Sequence, residues 1–153
     1  MKILITYILL LISTLCYSQN NIVNNTEFNL DKFSIEICKE LNIDNTSIII
    51  EQTRGLIFGK YYAVSFGQNK SYIIRISDIL KYQESKDALI HELVHISQLS
   101  TNKLVIIDHR TIGFNGSLYQ VSEETHYNDV QEKEARIIAE TITKIMNKNG
   151  YKW

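Results

Sequence analysis

Residues 86–99, KDALIHELVHISQL, place His91, Glu92 and His95 inside one apolar stretch, and this run decides how the rest of the chain is read. Two histidines four apart lie on the same face of an α-helix, one turn above the other, so both imidazoles reach a single ion. Zinc suits such a pair best, because imidazole nitrogens bind Zn²⁺ at ~2.0–2.1 Å and a three-ligand site keeps a fourth position for water. Glu92 sits about 100° round the helix from His91, close enough to touch that water without being a ligand, which is the position of a general base. On the helical wheel Leu89, Leu93 and Ile96 lie opposite the histidines while Ala88, Ile90, Val94 and Leu99 fill the flanks, so the helix is apolar nearly all round and therefore central. The competing reading, two core histidines bonded to backbone, leaves costly buried polar groups to satisfy.

The surrounding chain fits one soluble globular domain: 153 residues, 44% hydrophobic and 22% charged. Residues 1–18, MKILITYILLLISTLCYS, read as a secretory signal peptide, with one lysine, an apolar run from Ile3 to Ile12 and small or polar residues before a cleavage point after Ser18. The run is short for a membrane span, which sets a retained signal anchor second. Thr14 and Leu15 disfavour lipoprotein processing at Cys16. Loss of Lys2 leaves a net charge of about −2 and no basic tract, so nucleic acid is not an expected partner and no stable membrane insertion is expected after cleavage. Cys38 then has no internal disulfide partner and reads as a small core residue.

Residues 19–26, QNNIVNNT, read as a flexible terminus, and 27–153 as the single domain. Apolar spacing predicts a helix over 28–41. Strands are expected over 47–53, 56–66 and 71–76, with turns at Arg54–Gly55 and Gly67–Asn69, giving a small antiparallel sheet. Ser77, Asp78 or Ser85 is expected to cap the helical region that follows. Lys103–Ile107 and Ser117–Val121 are strand candidates around a hairpin turn marked by Gly113, Asn115 and Gly116. Residues 122–130 read as loop, and the final helix, 131–148, carries Ala135, Ile138, Ala139, Ile142, Ile145 and Met146 in one stripe.

A third metal ligand is needed. A closely following histidine is absent, since Gln98 and Thr101 occupy the metzincin glycine and histidine positions. The final helix offers Glu132 and Glu134 at the margins of its apolar stripe, and helical geometry alone does not choose between them.

HELVH at His91–His95 followed by EKEA at Glu132–Ala135 resembles the gluzincin branch of the zincin-like metallopeptidases, particularly short members of the minigluzincin type. The resemblance extends at architectural level over Ser47–Met146. It implies an α+β fold in which a small, mainly antiparallel sheet packs on the HExxH helix and the C-terminal helix carries the ligand glutamate. Because the ligand glutamate of such families is followed by a small residue, it implies Glu134 as third ligand, with Glu132 the weaker alternative. It also implies that SYIIRI, residues 71–76, is the strand lining the substrate cleft, where a peptide adds to the sheet edge. The implied activity is peptide-bond hydrolysis, with water activated by zinc on His91, His95 and Glu134 and with Glu92 as base. The chain departs from larger gluzincins in lacking a histidine after the ligand glutamate. Tyr127 stands in as oxyanion donor, with His126 its rival. His109 follows Asp108, but the surrounding pattern of aspartate-ligand zincins is absent. The expected protein is thus a secreted or periplasmic zinc peptidase, the alternative being a non-catalytic zinc-containing binding protein, secreted or anchored to the envelope.

Overall fold

Alternating isoleucines make two strands the centre of the structure. In β2, Ser47–Thr53, Ile48 and Ile50 are buried, and in β4, Ser71–Ser77, so are Tyr72, Ile74 and Ile76, every second residue in each case. The computed structural model describes residues 20–28, 30–108, 110–121 and 129–151, so the signal-peptide reading and His109, His126 and Tyr127 fall outside the described residues.

The chain is α+β, with a four-stranded sheet in the order β1-β2-β4-β3 and a three-stranded sheet in the order β5-β6-β7. Strand β1, Asn21–Asn25, runs parallel to β2 in register from Asn21–Ser47 to Asn25–Glu51. This segment is therefore a paired strand and not the flexible terminus expected from its asparagines. Backbone pairing needs no apolar side chain, and the Asn20 side chain locks the register by donating to the Ile43 carbonyl (2.6 Å) and accepting from the Thr46 N–H (3.0 Å). Helix α1, Asp31–Glu40, forms the crossover to β2 and buries Phe33, Ile37 and Cys38.

The main sheet is mixed. Strands β2 and β4 pair in parallel, and only β3, Ala63–Gln68, runs antiparallel, on β4. The expected hairpin between the second and third strands does not form, because residues 54–62 are tied across the end of β4. The Ser77 hydroxyl donates to the Gly55 carbonyl (2.8 Å), the Gly55 N–H donates to Asp78 (2.8 Å), and the Ser77 N–H donates to the Tyr62 carbonyl (2.8 Å). The chain thus passes over β4 before β3 starts. Ser77 and Asp78, expected as helix caps, are occupied in that tie. Strand β4 is consequently interior, and the sheet edge belongs to β3, which corrects the expectation that residues 71–76 line the cleft. A two-residue turn with positive φ at Asn69 (53°) and Lys70 (62°) joins β3 to β4. Gly67 is required beside it, since a Cβ there would lie 2.2 Å from the Ser71 carbonyl oxygen.

Helix α2, Tyr82–Ser100, begins where the Lys81 N–H donates to the Glu84 carboxylate (2.8 Å). It lies between the main sheet and helix α3, Val130–Lys148, and its Leu89, Ile90, Leu93, Val94 and Ile96 are all at most 1% exposed. Met146 and Ile142 of α3 close the same core. After α2 the chain builds the antiparallel sheet of β5, Leu104–Ile106, β6, Thr111–Phe114, and β7, Ser117–Gln120, the last two joined at Asn115–Gly116. Counted over both sheets, three strand pairings are antiparallel and two parallel. Among the described residues no helix is long and apolar enough to cross a membrane.

Burial pushes the Cys38 thiol up from 9.0 to about 12. A thiol protonated to higher pH when folded than when unfolded adds full stability below pH 9, and that stability is lost as pH rises from about 9 to about 12. At pH 8 iodoacetamide should leave Cys38 unmodified in the native chain and alkylate it in urea, as read by peptide mass mapping. Native labelling at the rate of a free thiol would contradict the packing of α1.

Candidate metal centre

The site grows out of the helical phase of α2. One turn separates His91 from His95, and their Nε2 atoms lie 3.1 Å apart with ring planes at 84°. Two ring nitrogens this close cannot both carry hydrogen toward each other, so they share a proton or face a cation. Helix α3 supplies the third group. Glu132, in its first turn, sets Oε2 3.1 Å from His91 Nε2 and Oε1 3.2 Å from His95 Nε2. The candidate ligand atoms of these three residues all lie within 4.8 Å of one another, a cluster compatible with a metal ion. Glu132 and His95 are buried, and His91 is half-buried.

Glu132 holds that position because it begins the inward stripe of α3. Ala135, fully buried, Ile142 and Met146 follow at helical intervals on the same face. Glu134 lies about 200° round the helix from Glu132 and turns toward the base of the small sheet instead. There Oε1 pairs with Lys103 Nζ at 2.5 Å and Oε2 accepts from Gln98 Nε2 at 3.0 Å. The carboxylate that reaches the histidines is therefore Glu132, and Glu134, which the resemblance implied, is held away by its own partners.

Burial pulls the pKa of the His95 imidazole down, but the hydrogen bond and charge of Glu132, the charge of Glu92 and the bond to Gln98 outweigh it, leaving the group above its ordinary value. The negative field that holds a proton there favours any cation in its place. Glu92 is itself buried, 7% exposed, and lines the same cleft as the two histidines. That cleft, about 590 Å³, is bounded by Ala63, Val64 and Ser65 of β3 on one side and by Leu104, Ile106 and Ile112 of the small sheet on the other. Since β3 is the terminal strand of its sheet, one row of its backbone N–H and C=O groups is unpaired by the sheet.

The structure brings His91, His95 and Glu132 together with Glu92 in the same cleft, and sets against His95 the side chain of Gln98, which sequence reasoning did not single out as a site residue. The i, i+3 spacing of Gln98 from His95 was the available signal. No protein-family profile, curated protein or solved structure matches this chain. The class defined by fold and site is an α+β protein with a His-His-Glu cluster, two of its three residues buried, in a cleft beside a sheet edge.

Proposed function

We propose that the chain is a zinc-dependent metallopeptidase of the zincin-like, gluzincin type, acting outside the cytoplasm. The observation that carries this reading is the convergence of His91, His95 and Glu132 at 3.1–3.2 Å with Glu92 beside them in the cleft. Atoms coordinated tetrahedrally at zinc distances are ~3.3 Å apart, and the two imidazole nitrogens stand 3.1 Å apart with one Glu132 oxygen beside each, an arrangement that supports a zinc ion between them. When bound, zinc supplies a Lewis acid that acidifies water and polarises the scissile carbonyl.

The chain's own residues do the rest. The outer edge of β3 receives an extended peptide by backbone pairing, and the apolar side chains of the small sheet cover it from the other side. Glu92 takes a proton from the attacking water as the carbon–oxygen bond forms and gives it to the leaving nitrogen as the carbon–nitrogen bond breaks. Tyr127, with His126 as rival, is the candidate donor to the developing oxyanion. The character of residues 1–18 supports action in the periplasm or outside the cell.

The purified protein should contain about one zinc per chain and cleave peptides from a broad library. A chelator should abolish cleavage and added zinc restore it. Bound zinc with no cleavage of the library would leave a non-catalytic zinc-containing binding protein, and no zinc at all would overturn both readings.

A further inference from the structure

We propose that Glu134 is a positioning residue that sets, through Gln98, which ring nitrogen of His95 carries hydrogen; this rests on the metal-centre reading above. The chain of contacts is continuous. Lys103 Nζ meets Glu134 Oε1 at 2.5 Å, Gln98 Nε2 donates to Glu134 Oε2 at 3.0 Å, and Gln98 Oε1 faces His95 Nδ1 at 2.9 Å.

The direction of each bond follows from what each group is able to do. An ionised carboxylate only accepts, so the amide nitrogen of Gln98 must be the atom facing Glu134. The Gln131 carbonyl, 3.3 Å from the same nitrogen, takes its second hydrogen. Both donors of the amide are thereby engaged on one side, and the oxygen has to face His95. That oxygen also only accepts, so His95 donates from Nδ1, and Nε2, which faces His91 at 3.1 Å and the Glu132 carboxylate at 3.2 Å, is the nitrogen whose hydrogen a bound zinc would displace. A flipped amide would put N–H against His95, place hydrogen on Nε2 and block it as a ligand. Gln98 is 3% exposed, so bulk solvent does not compete for either end of its amide. Lys103, just before β5, fixes the outer oxygen of Glu134 and so anchors the relay to the small sheet.

The test uses the full chain, zinc affinity by competition with a chromophoric chelator, and the ring N–H resonance of His95 in the zinc-loaded protein. In Glu134→Gln, Lys103 retains the oxygen of the new amide, so its nitrogen faces the nitrogen of Gln98, donor against donor. Zinc affinity should fall about 10–100-fold and the Nδ1–H resonance should shift or vanish. Adding Lys103→Met frees the new amide to present its oxygen to Gln98, so the double variant should recover most of the loss, and Lys103→Met alone should lose less than Glu134→Gln. A simple structural ion pair predicts the reverse, with equal losses in both single variants and no recovery. Wild-type affinity in Glu134→Gln, or a double variant as weak as that single one, overturns the proposal. A zinc-loaded wild type with His95 protonated on Nε2 overturns it without any variant, while the peptidase reading stands. A wild type that takes up no zinc overturns that reading and this proposal with it.

Discussion

Glu92→Gln should retain about one zinc per chain and lose about 10²–10⁴-fold in kcat/KM, the usual contribution of a positioned general base. At 1.36 kcal/mol per decade this corresponds to about 3–5 kcal/mol of transition-state stabilisation. Glutamine has nearly the same volume and shape, so it preserves the packing of a side chain that is only 7% exposed. What it removes is the capacity to accept a proton from water and return it to the leaving nitrogen. Glu92 is not one of the three clustered ligand atoms, so metal content should hold while turnover collapses. The loss should fall on kcat rather than KM under the proposed function, in which the peptide is held by β3 and the apolar walls rather than by Glu92. Zinc analysis and steady-state kinetics on one preparation check this together. Activity equal to wild type would remove Glu92 from the mechanism, whatever the metal content.

Glu132→Ala should have the other large effect, on the metal itself. Its carboxylate oxygens stand at 3.1 and 3.2 Å from the two Nε2 atoms, and removing them leaves two histidines and no charge-balancing ligand. Zinc affinity should drop by more than the ~10–100-fold expected for an outer partner, with hydrolysis lost at one equivalent of zinc. Glu134→Ala provides the contrast. Its carboxylate binds Lys103 and Gln98, so the variant should still take up zinc at higher concentration. If Glu134→Ala abolished zinc uptake and Glu132→Ala spared it, the ligand assignment would revert to the one implied by the glutamate-alanine pair. Titration of each variant with zinc, followed by competition, separates the two cases.

The difference between these glutamates shows how far local pattern reaches. The apolar stripe of the last helix is evident from Ala135, Ile142 and Met146, and the helix follows it from Val130 to Lys148. Two candidates at the stripe's margins are equivalent until a partner helix approaches from one direction. Contact with α2 supplies that direction, and then Glu132 points inward while Glu134 meets Lys103, which lies 31 positions away. The sheet shows the same limit. Isoleucine alternation in β2 and β4 was readable, but their parallel pairing with β3 outside depends on bonds from Gly55 to Ser77 and Asp78 across more than twenty residues. Asn21–Asn25 escaped detection because its pairing uses backbone groups that every sequence possesses.

By itself, then, the sequence determined the elements whose cause is local: a central helix carrying His91, Glu92 and His95 in one turn, the apolar stripe of the last helix, and the Asn115–Gly116 turn. Periodicity and turn chemistry act between neighbours a few residues apart and need no knowledge of the whole. Tertiary structure alone decided which carboxylate meets the histidines, which strand borders the cleft and how Gln98 is held against His95. Those outcomes depend on the direction from which one packed element meets another, and many contacts distributed over the core set that direction together.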